Sequence, residues 1–310
     1  IPLRLVGSEM CIRDRLKGVP KSLIYRVVRS GEVRVNKGRA HVDTRLQSGD
    51  EVRIPPISYT EKESEHSAPP LKLSEMPPIL FEDQNIMVVD KPAGMASHGG
   101  SGISYGLIER MRASRPELPF LELVHRLDRG TSGVLVLAKT RKALVRLHEM
   151  IREGEMHKTY QALVKGDWQN DRQHAKFPLF KYVTPSGERR VRVDPENGLP
   201  SHSIFRLKER FGPVSLVEVD LLTGRTHQIR VHAAELGFPL VGDEKYGDFA
   251  FNDEVAHGSL GVPFKRMFLH SGKIRFHHPI TGEELEIEAP LPKDCVELIE
   301  VLEQRKAQNK

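Results

Sequence analysis

Only two cysteines occur in the chain, Cys11 and Cys295, near opposite ends. That pattern excludes a disulfide framework and fits a reducing compartment, so a cytoplasmic setting is expected. No apolar run approaches the roughly 20 residues that span a bilayer, and no secretory signal is recognisable, so no membrane partner is expected. Glycine patterns of the P-loop or G-x-G-x-x-G kind are missing, which removes the common phosphate cradles of nucleotide cofactors. A G-x-S-x-G elbow is missing too, which argues against a hydrolase built on His125 or His227 with Asp128. Metal ligands do not stand at familiar spacings: there is no Cys-x-x-Cys, and His227 and His232 lie five apart rather than four. Neither cofactor nor metal is expected.

What the chain does have is an uneven charge. Residues 1–57 carry twelve Lys/Arg against six Asp/Glu, whereas the other 253 residues carry 35 against 36. The net charge of +5 therefore sits on the N-terminal piece. A small basic domain on a near-neutral body suits a polyanion-binding handle on a catalytic domain, with a solubilising basic face as the alternative.

Residues 1–15 have neither helical period nor strand alternation and do not begin with Met; they read as a foreign or mis-assembled segment. From residue 16 the pattern clears. Leu23, Ile24, Val27 and Val28 share one helical face, Lys21, Arg26 and Arg29 crowd the other, and Gly31 is placed to stop the helix. Val33 and Val35 alternate as a strand, Asn36-Lys37-Gly38 turns, and a strand over 51–54 follows Gly49-Asp50. Residues 16–57 resemble the S4-type RNA-binding module, possessing its basic helix and turn but lacking the helix that normally opens it. The polar, proline-bearing stretch 58–76 reads as a flexible linker, and 77–310 as a large domain. Within that domain, helices are expected over 105–113 and from Thr140 to Gly154. Strands are expected over 86–89, 158–164 and 214–222, with 167–200 rich in loops apart from short strands near 189–193.

The densest signal is His125-Arg126-Leu127-Asp128-Arg129-Gly130-Thr131-Ser132-Gly133, followed by the apolar run 134–138. An Asp between arginines at the mouth of a buried strand suits a carboxylate that attacks or takes a proton; a turn-forming loop Asp is the plain alternative. Tyr160 falls on a strand, on the face of Ala162 and Val164, as core packing or as a stacking platform. In the cluster 221–232, Thr226 can cap a helix that carries Ile229, Ala233 and Leu236 on one face and His227, Arg230 and Ala234 on another. Arg230 can then pair with a carboxylate such as Asp128, for function or for structure alone.

Asp90-Lys91-Pro92-Ala93-Gly94, His125-Arg126-Leu127-Asp128, 158–164, Gly224-Arg225-Thr226-His227-Gln228 and Arg266-Met267-Phe268-Leu269-His270 occur in the order that resembles the RluA family of pseudouridine synthases. The resemblance covers roughly 79–292. It implies an α+β fold, with a mixed, largely antiparallel central sheet flanked by helices around a catalytic cleft, preceded by the S4-like domain. It further implies cofactor-free conversion of uridine to pseudouridine after the base is flipped out. Asp128 would be the essential carboxylate, Arg230 its partner, Tyr160 the surface stacked on uracil, and Leu269 a pocket wall. Arg126 would fill the vacated base position, and Lys91 would order the motif loop or meet phosphate. Lys21, Arg26, Arg29, Arg34, Lys37 and Arg39 would add affinity for RNA. The N-terminal module points to large-subunit (23S) ribosomal RNA rather than tRNA; a monomer is expected, and a non-catalytic RNA-binding protein is the alternative outside catalysis.

Overall fold

The computed structural model describes residues 21–41, 44, 46–47, 49–55, 68–72, 75–100 and 104–308. The readings made for residues 1–15, for residues 58–67 and for the side chain of Lys21 lie outside the described residues. The chain divides into two compact units, Ile1–Ser67 and Ala68–Lys310.

In the smaller unit, helix α1 (Lys21–Arg29) is followed by strands β1 (Arg34–Val35), β2 (Gly38–Arg39) and β3 (Val52–Arg53), which form an antiparallel sheet in the order β2-β1-β3. Ile24, Val27 and Val28 pack on Val33 and Ala40. Gly31 has φ 78°, the left-handed geometry expected of a residue that ends a helix. The β1–β2 turn places both Asn36 and Lys37 at positive φ, 50° and 69°, as a two-residue hairpin with the twist of its strands requires. Arg34 stands opposite Arg39 on one side and Arg53 on the other. Three exposed arginines in a row across a sheet repel one another unless an anion lies over them.

The larger unit is built on one ten-stranded sheet. Its strands are β4 (Ile79–Glu82), β5 (Ile86–Lys91), β6 (Glu122–Leu123), β7 (Ser132–Ala138), β8 (His157–Lys165), β9 (Arg172–Ala175), β12 (Ser203–Arg210), β13 (Val214–Leu221), β14 (Leu269–His277) and β15 (Glu284–Glu288). The order is β4-β5-β7-β14-β8-β13-β12-β9, with β15 on β14 and β6 on β7. Among these described strands only β7 and β14 pair in parallel. A separate hairpin, β10 (Leu179–Val183) and β11 (Arg189–Val193), precedes β12. The helices are α2 (Leu107–Ser114), α3 (Arg141–Glu153), α4 (Gln228–Glu235), α5 (Phe249–Ala256) and α6 (Lys293–Gln308). None of the described helices is long and apolar enough to cross a membrane. The architecture is the α+β, mostly antiparallel one expected.

Strand β7 is buried at every position because both faces of the sheet are covered there. Leu135 and Leu137 join Met87, Leu107 and Met111 on the side of α2. Val134 and Val136 join Val88, Ala143 and Leu147 on the side of α3. Thr140 caps α3, its side chain accepting from the Ala143 N–H at 3.2 Å, and Gly154 ends it at φ 77°.

Two expectations change. The stretch 167–200 contains β9 and β10 besides β11, and β9 pairs with β12 at the sheet edge. β9 has Ala175 as its one buried residue, and β10 carries apolar Phe180, Tyr182 and the exposed Val183 beyond its buried Leu179, so neither shows a clean alternation. Nor is 68–72 a free linker: Leu71 is buried in the core and its N–H donates to Ser114 Oγ at 2.7 Å.

Candidate active site

Asp128 lies in the loop between β6 and β7, and that loop is held at four points. Ser97 Oγ donates to the Leu127 carbonyl (2.8 Å) and accepts from the Leu127 N–H (3.1 Å). Gly94 N–H donates to the Arg129 carbonyl at 2.7 Å, and Arg129 Nε returns a bond to the Gly94 carbonyl at 3.0 Å. Thr131 N–H closes a turn on the Asp128 carbonyl at 3.1 Å. Lys91 Nζ donates to the carbonyls of Pro92 (2.9 Å) and Met95 (2.7 Å) and reaches that of Arg129 at 3.5 Å.

Lys91 is fully buried, so its expected contact with phosphate is corrected: the amine has no face toward an RNA strand. Its work is to tie 92–95 to the Asp128 loop. Burial pulls its pKa down to about 7, opposed by the charge of Asp128 and assisted by that of Arg266.

Gly133 allows β14 to pair beside this loop. Its φ is 110°, and a Cβ there would lie 2.2 Å from the Ser271 carbonyl oxygen. The close approach sets His270 against Ser132 and Ser271 against Gly133, which brings Leu269 to the cleft.

Arg230, on α4, donates from Nη1 to Asp128 Oδ2 at 3.2 Å. Its stronger partner is Asp243, which takes Nε at 2.8 Å and Nη2 at 2.7 Å. Asp243 is 1% exposed and also accepts the N–H groups of Lys245 and Tyr246 at 2.8 and 3.1 Å. Burial opposes the Asp243 charge, but the hydrogen bonds and charge of Arg230 outweigh it and hold its pKa below the usual carboxylate range. Arg230 thus stands as a fixed cation whose Nη1 is directed at Asp128. Asp243 escaped the sequence reading; the polar run Gly242-Asp243-Glu244-Lys245-Tyr246-Gly247 was its only signal.

Thr226 is not the cap of α4. A turn from Arg225 to Gln228 closes first, with Gln228 N–H on the Arg225 carbonyl at 3.2 Å, and His227 becomes the capping residue. Buried Gln228 organises this turn. Its Oε1 accepts from Thr223 Oγ1 and the Arg225 N–H, while its Nε2 donates to the His202 carbonyl and Ser203 Oγ. His227 takes φ 54°, in the left-handed region that few L residues enter, Asn, Asp and His more often than the rest. Its Nε2 lies 3.8 Å from Asp128 Oδ2. His232 points elsewhere, buried against Ser201 and Ser203, so the two histidines do not converge.

Tyr160 is 6% exposed, with its hydroxyl hydrogen-bonded to Ser271. Burial raises its pKa, so the phenol stays protonated at neutral pH. His125 accepts from the Val136 N–H at 3.2 Å, and burial lowers its pKa well below the ordinary value.

These groups line one cleft of about 730 Å³, within the roughly 300–1,000 Å³ typical of ligand sites. Asp128, Tyr160, Arg230, Leu269 and Arg126 all border it. Arg126 is exposed and rests against His98 Nε2. The lining holds eight Lys/Arg side chains, among them Arg152, Lys158, Arg189 and Lys245, and a single carboxylate, that of Asp128. Lys158, half-buried where it borders the cleft, has its pKa lowered to about 8 by partial burial. Arg26, Arg29, Arg34, Lys37 and Arg39 are exposed on the smaller unit; Arg39 also donates from Nη2 to the Arg29 carbonyl at the end of α1. Arg53, in the row with Arg34 and Arg39, was not singled out from sequence because a two-residue strand shows no period.

The model of the RNA pseudouridylate synthase family matches residues 85–235. The ribosomal large subunit pseudouridine synthase C of Salmonella typhi is 50% identical over 295 residues, covering 94% of this chain and 91% of the relative. That of Escherichia coli K12 is 51% identical over 284 residues, covering 90% and 88%. Among solved structures, human RNA pseudouridylate synthase domain containing 1 is similar with a TM-score of 0.57 at 26% identity, over 75% of this chain and 97% of that one. Human RNA pseudouridylate synthase domain containing 4 shares the fold at a TM-score of 0.60 and 24% identity, over 73% and 92%. A sheet that delivers Asp128 to Arg230 at the floor of a basic cleft, and identity of this extent over nearly the whole chain, have one reading: the chain belongs to the RNA pseudouridylate synthase family.

Proposed function

We propose that the chain converts uridines of large-subunit ribosomal RNA to pseudouridine, with Asp128 as the essential carboxylate. The single observation that carries the reading is the lone acid: one carboxylate, hydrogen-bonded to a buried arginine, in a cleft whose other lysine, arginine and carboxylate side chains among the described residues are all cationic. Cationic walls attract and register the phosphate backbone without reading sequence. An isolated carboxylate among them repels a polyanion, so its presence has a chemical reason rather than a binding one.

The target uridine leaves its stack at a cost of a few kcal/mol and enters the cleft. Arg126, exposed at the cleft, takes the place it vacates. The base lies between Tyr160 and Leu269. Asp128 then acts at the sugar, as nucleophile at C1′ or as base toward a sugar proton, and the N1–C1′ bond breaks. Uracil turns over in place and C5 bonds to C1′. Arg230 keeps the carboxylate aimed throughout, because Asp243 prevents the guanidinium from following it. The protonated Tyr160 hydroxyl can donate or relay a proton but not remove one. The C5 hydrogen leaves as a proton and N1 takes one up, so the product is an isomer of uridine, nothing is oxidised, and no cofactor enters the balance.

The smaller unit supplies general RNA affinity through Arg26, Arg29, Lys37 and the Arg39-Arg34-Arg53 row, in the manner of the S4-like module it resembles; residues 58–67 would then act as the linker. We place the enzyme in the bacterial cytoplasm as a monomer. Asp128→Asn tests the reading. It should abolish pseudouridine formation in large-subunit rRNA while RNA affinity stays within about twofold; turnover by the variant would remove the carboxylate from its role.

A further inference from the structure

Tyr246 touches three parts of the site at once. Its hydroxyl accepts the Val191 N–H of β11 at 2.9 Å, and lies 2.7 Å from His227 Nδ1. Its ring packs against the Arg230 guanidinium, 5.1 Å from the centroid. A phenol has one proton to give. With the Val191 N–H already directed at the oxygen, that proton is free to point to His227 Nδ1. The imidazole proton is then on Nε2, and Nε2 is the nitrogen facing Asp128 Oδ2 at 3.8 Å. The opposite tautomer would direct a lone pair at the carboxylate.

We propose that Tyr246 holds His227 as the neutral Nε2–H tautomer, and that this N–H is a second donor, beside Arg230, which orients the Asp128 carboxylate. The inference rests on the reading of Asp128 as the reacting acid, and it makes His227 and Tyr246 positioning residues. The strained backbone of His227 supports it. A φ of 54° at the capping position of α4 accompanies a ring that lines the cleft. The surrounding charges are consistent with a neutral ring. Burial lowers the His227 pKa; Arg230 and Lys245 also oppose protonation, and Asp128 and Asp243 favour it. The 3.8 Å separation is longer than a hydrogen bond, so the donation requires the carboxylate to turn toward Nε2, in the way that geometry at reacting groups commonly tightens on binding.

Two measurements on the full chain test the proposal. Long-range ¹H–¹⁵N spectra of ¹⁵N-histidine-labelled protein, with His227 assigned through His227→Gly, should give a protonated Nε2 and an unprotonated Nδ1 at pH 7. Tyr246→Phe should mix the tautomers and raise the pH at which His227 titrates, because Nδ1 becomes free to take a proton. An Nδ1–H tautomer in the wild type, or a spectrum unmoved by Tyr246→Phe, overturns the assignment.

Single-turnover kinetics on a large-subunit rRNA transcript then judge the consequence. His227→Gly accepts the positive φ without strain and should slow the chemical step about tenfold, the loss of one bond to a charged acceptor, with RNA affinity unchanged. An unchanged rate overturns the positioning role. A wild-type chain inactive on rRNA would sink the reading of Asp128 itself, while the tautomer spectrum would still judge the hydrogen bonds.

Discussion

Arg230 serves two carboxylates, and their burial predicts that the two contribute very differently to stability. The Asp243 side chain is 1% exposed and binds the guanidinium through two bonds, whereas that of Asp128 is 27% exposed and takes one. Asp243→Asn removes the buried countercharge and sets an amide NH2 against the guanidinium, leaving the partly exposed Asp128 as its one anionic partner. Breaking a buried pair in this way costs about 3–5 kcal/mol. In a unit the size of Ala68–Lys310, each kcal/mol lowers the melting temperature by roughly 2–4 °C, so a fall of about 6–20 °C is expected. Asp128→Asn keeps an oxygen for Arg230 Nη1 and leaves Asp243 in place, so it should cost about 1 kcal/mol or less. Urea titration followed by the fluorescence of Trp168, the one tryptophan and itself buried in this unit, separates the two. The sign with pH is also set. Because the folded Asp243 pKa lies below its ordinary value, its contribution is complete above about pH 4 and disappears as pH falls through the folded value. Equal losses in the two variants, or an Asp243→Asn protein within about 1 kcal/mol of wild type, would refute the division of Arg230 into an anchored side and a free one.

Tyr160→Phe should reduce pseudouridine formation less than Tyr160→Ala, since the ring stays while only the Ser271 bond is removed; equal losses in a tritium-release assay would shift the weight to the hydroxyl. Lys91→Met should flatten the pH dependence of stability between about pH 7 and 10.5. Over that range the unfolded chain holds a proton that folded Lys91 has released, so wild-type stability rises with pH by up to about 1.4 kcal/mol per unit from this group. The wild-type minus variant difference in urea melts checks it, and a flat difference contradicts the buried amine. Replacing Arg34 and Arg53 together by Gln should lower the salt slope of RNA binding by about 0.7–0.9 for each phosphate left without its cation. The small sheet should not loosen, because the row Arg39-Arg34-Arg53 is self-repelling. A slope identical to wild type would take the row out of the RNA interface.

Physically, the site separates rigidity from reactivity. Lys91, Ser97, Gln228 and Asp243 are all buried, and each directs its polar atoms to backbone or to another side chain. None of them need meet substrate. They hold loops that would otherwise wander, so the few groups facing the cleft are placed before RNA arrives.

The local pattern of the sequence was enough for much of this. The apolar run 134–138 announced a strand covered on both faces, and Thr140 and Gly154 marked the ends of α3, because propensity and capping are local. The motifs around Asp128, Tyr160 and Arg230, and with them the family, were legible for the same reason: each is a short run of unusual composition. Pairings between distant segments were not. That Arg230 is anchored by Asp243, that Tyr246 meets His227, and that Lys91 turns inward to three carbonyls follow from how β5, the Asp128 loop and α4 converge. Thr226 was named as the cap because Thr favours that position, but the turn held by Gln228 moved the helix start onto His227 at positive φ. Residue type and spacing determined which chemistry the chain carries. Only tertiary structure decided which cation stays fixed, which proton faces Asp128 and which lysine is out of reach, since each depends on burial and on partners far away along the chain.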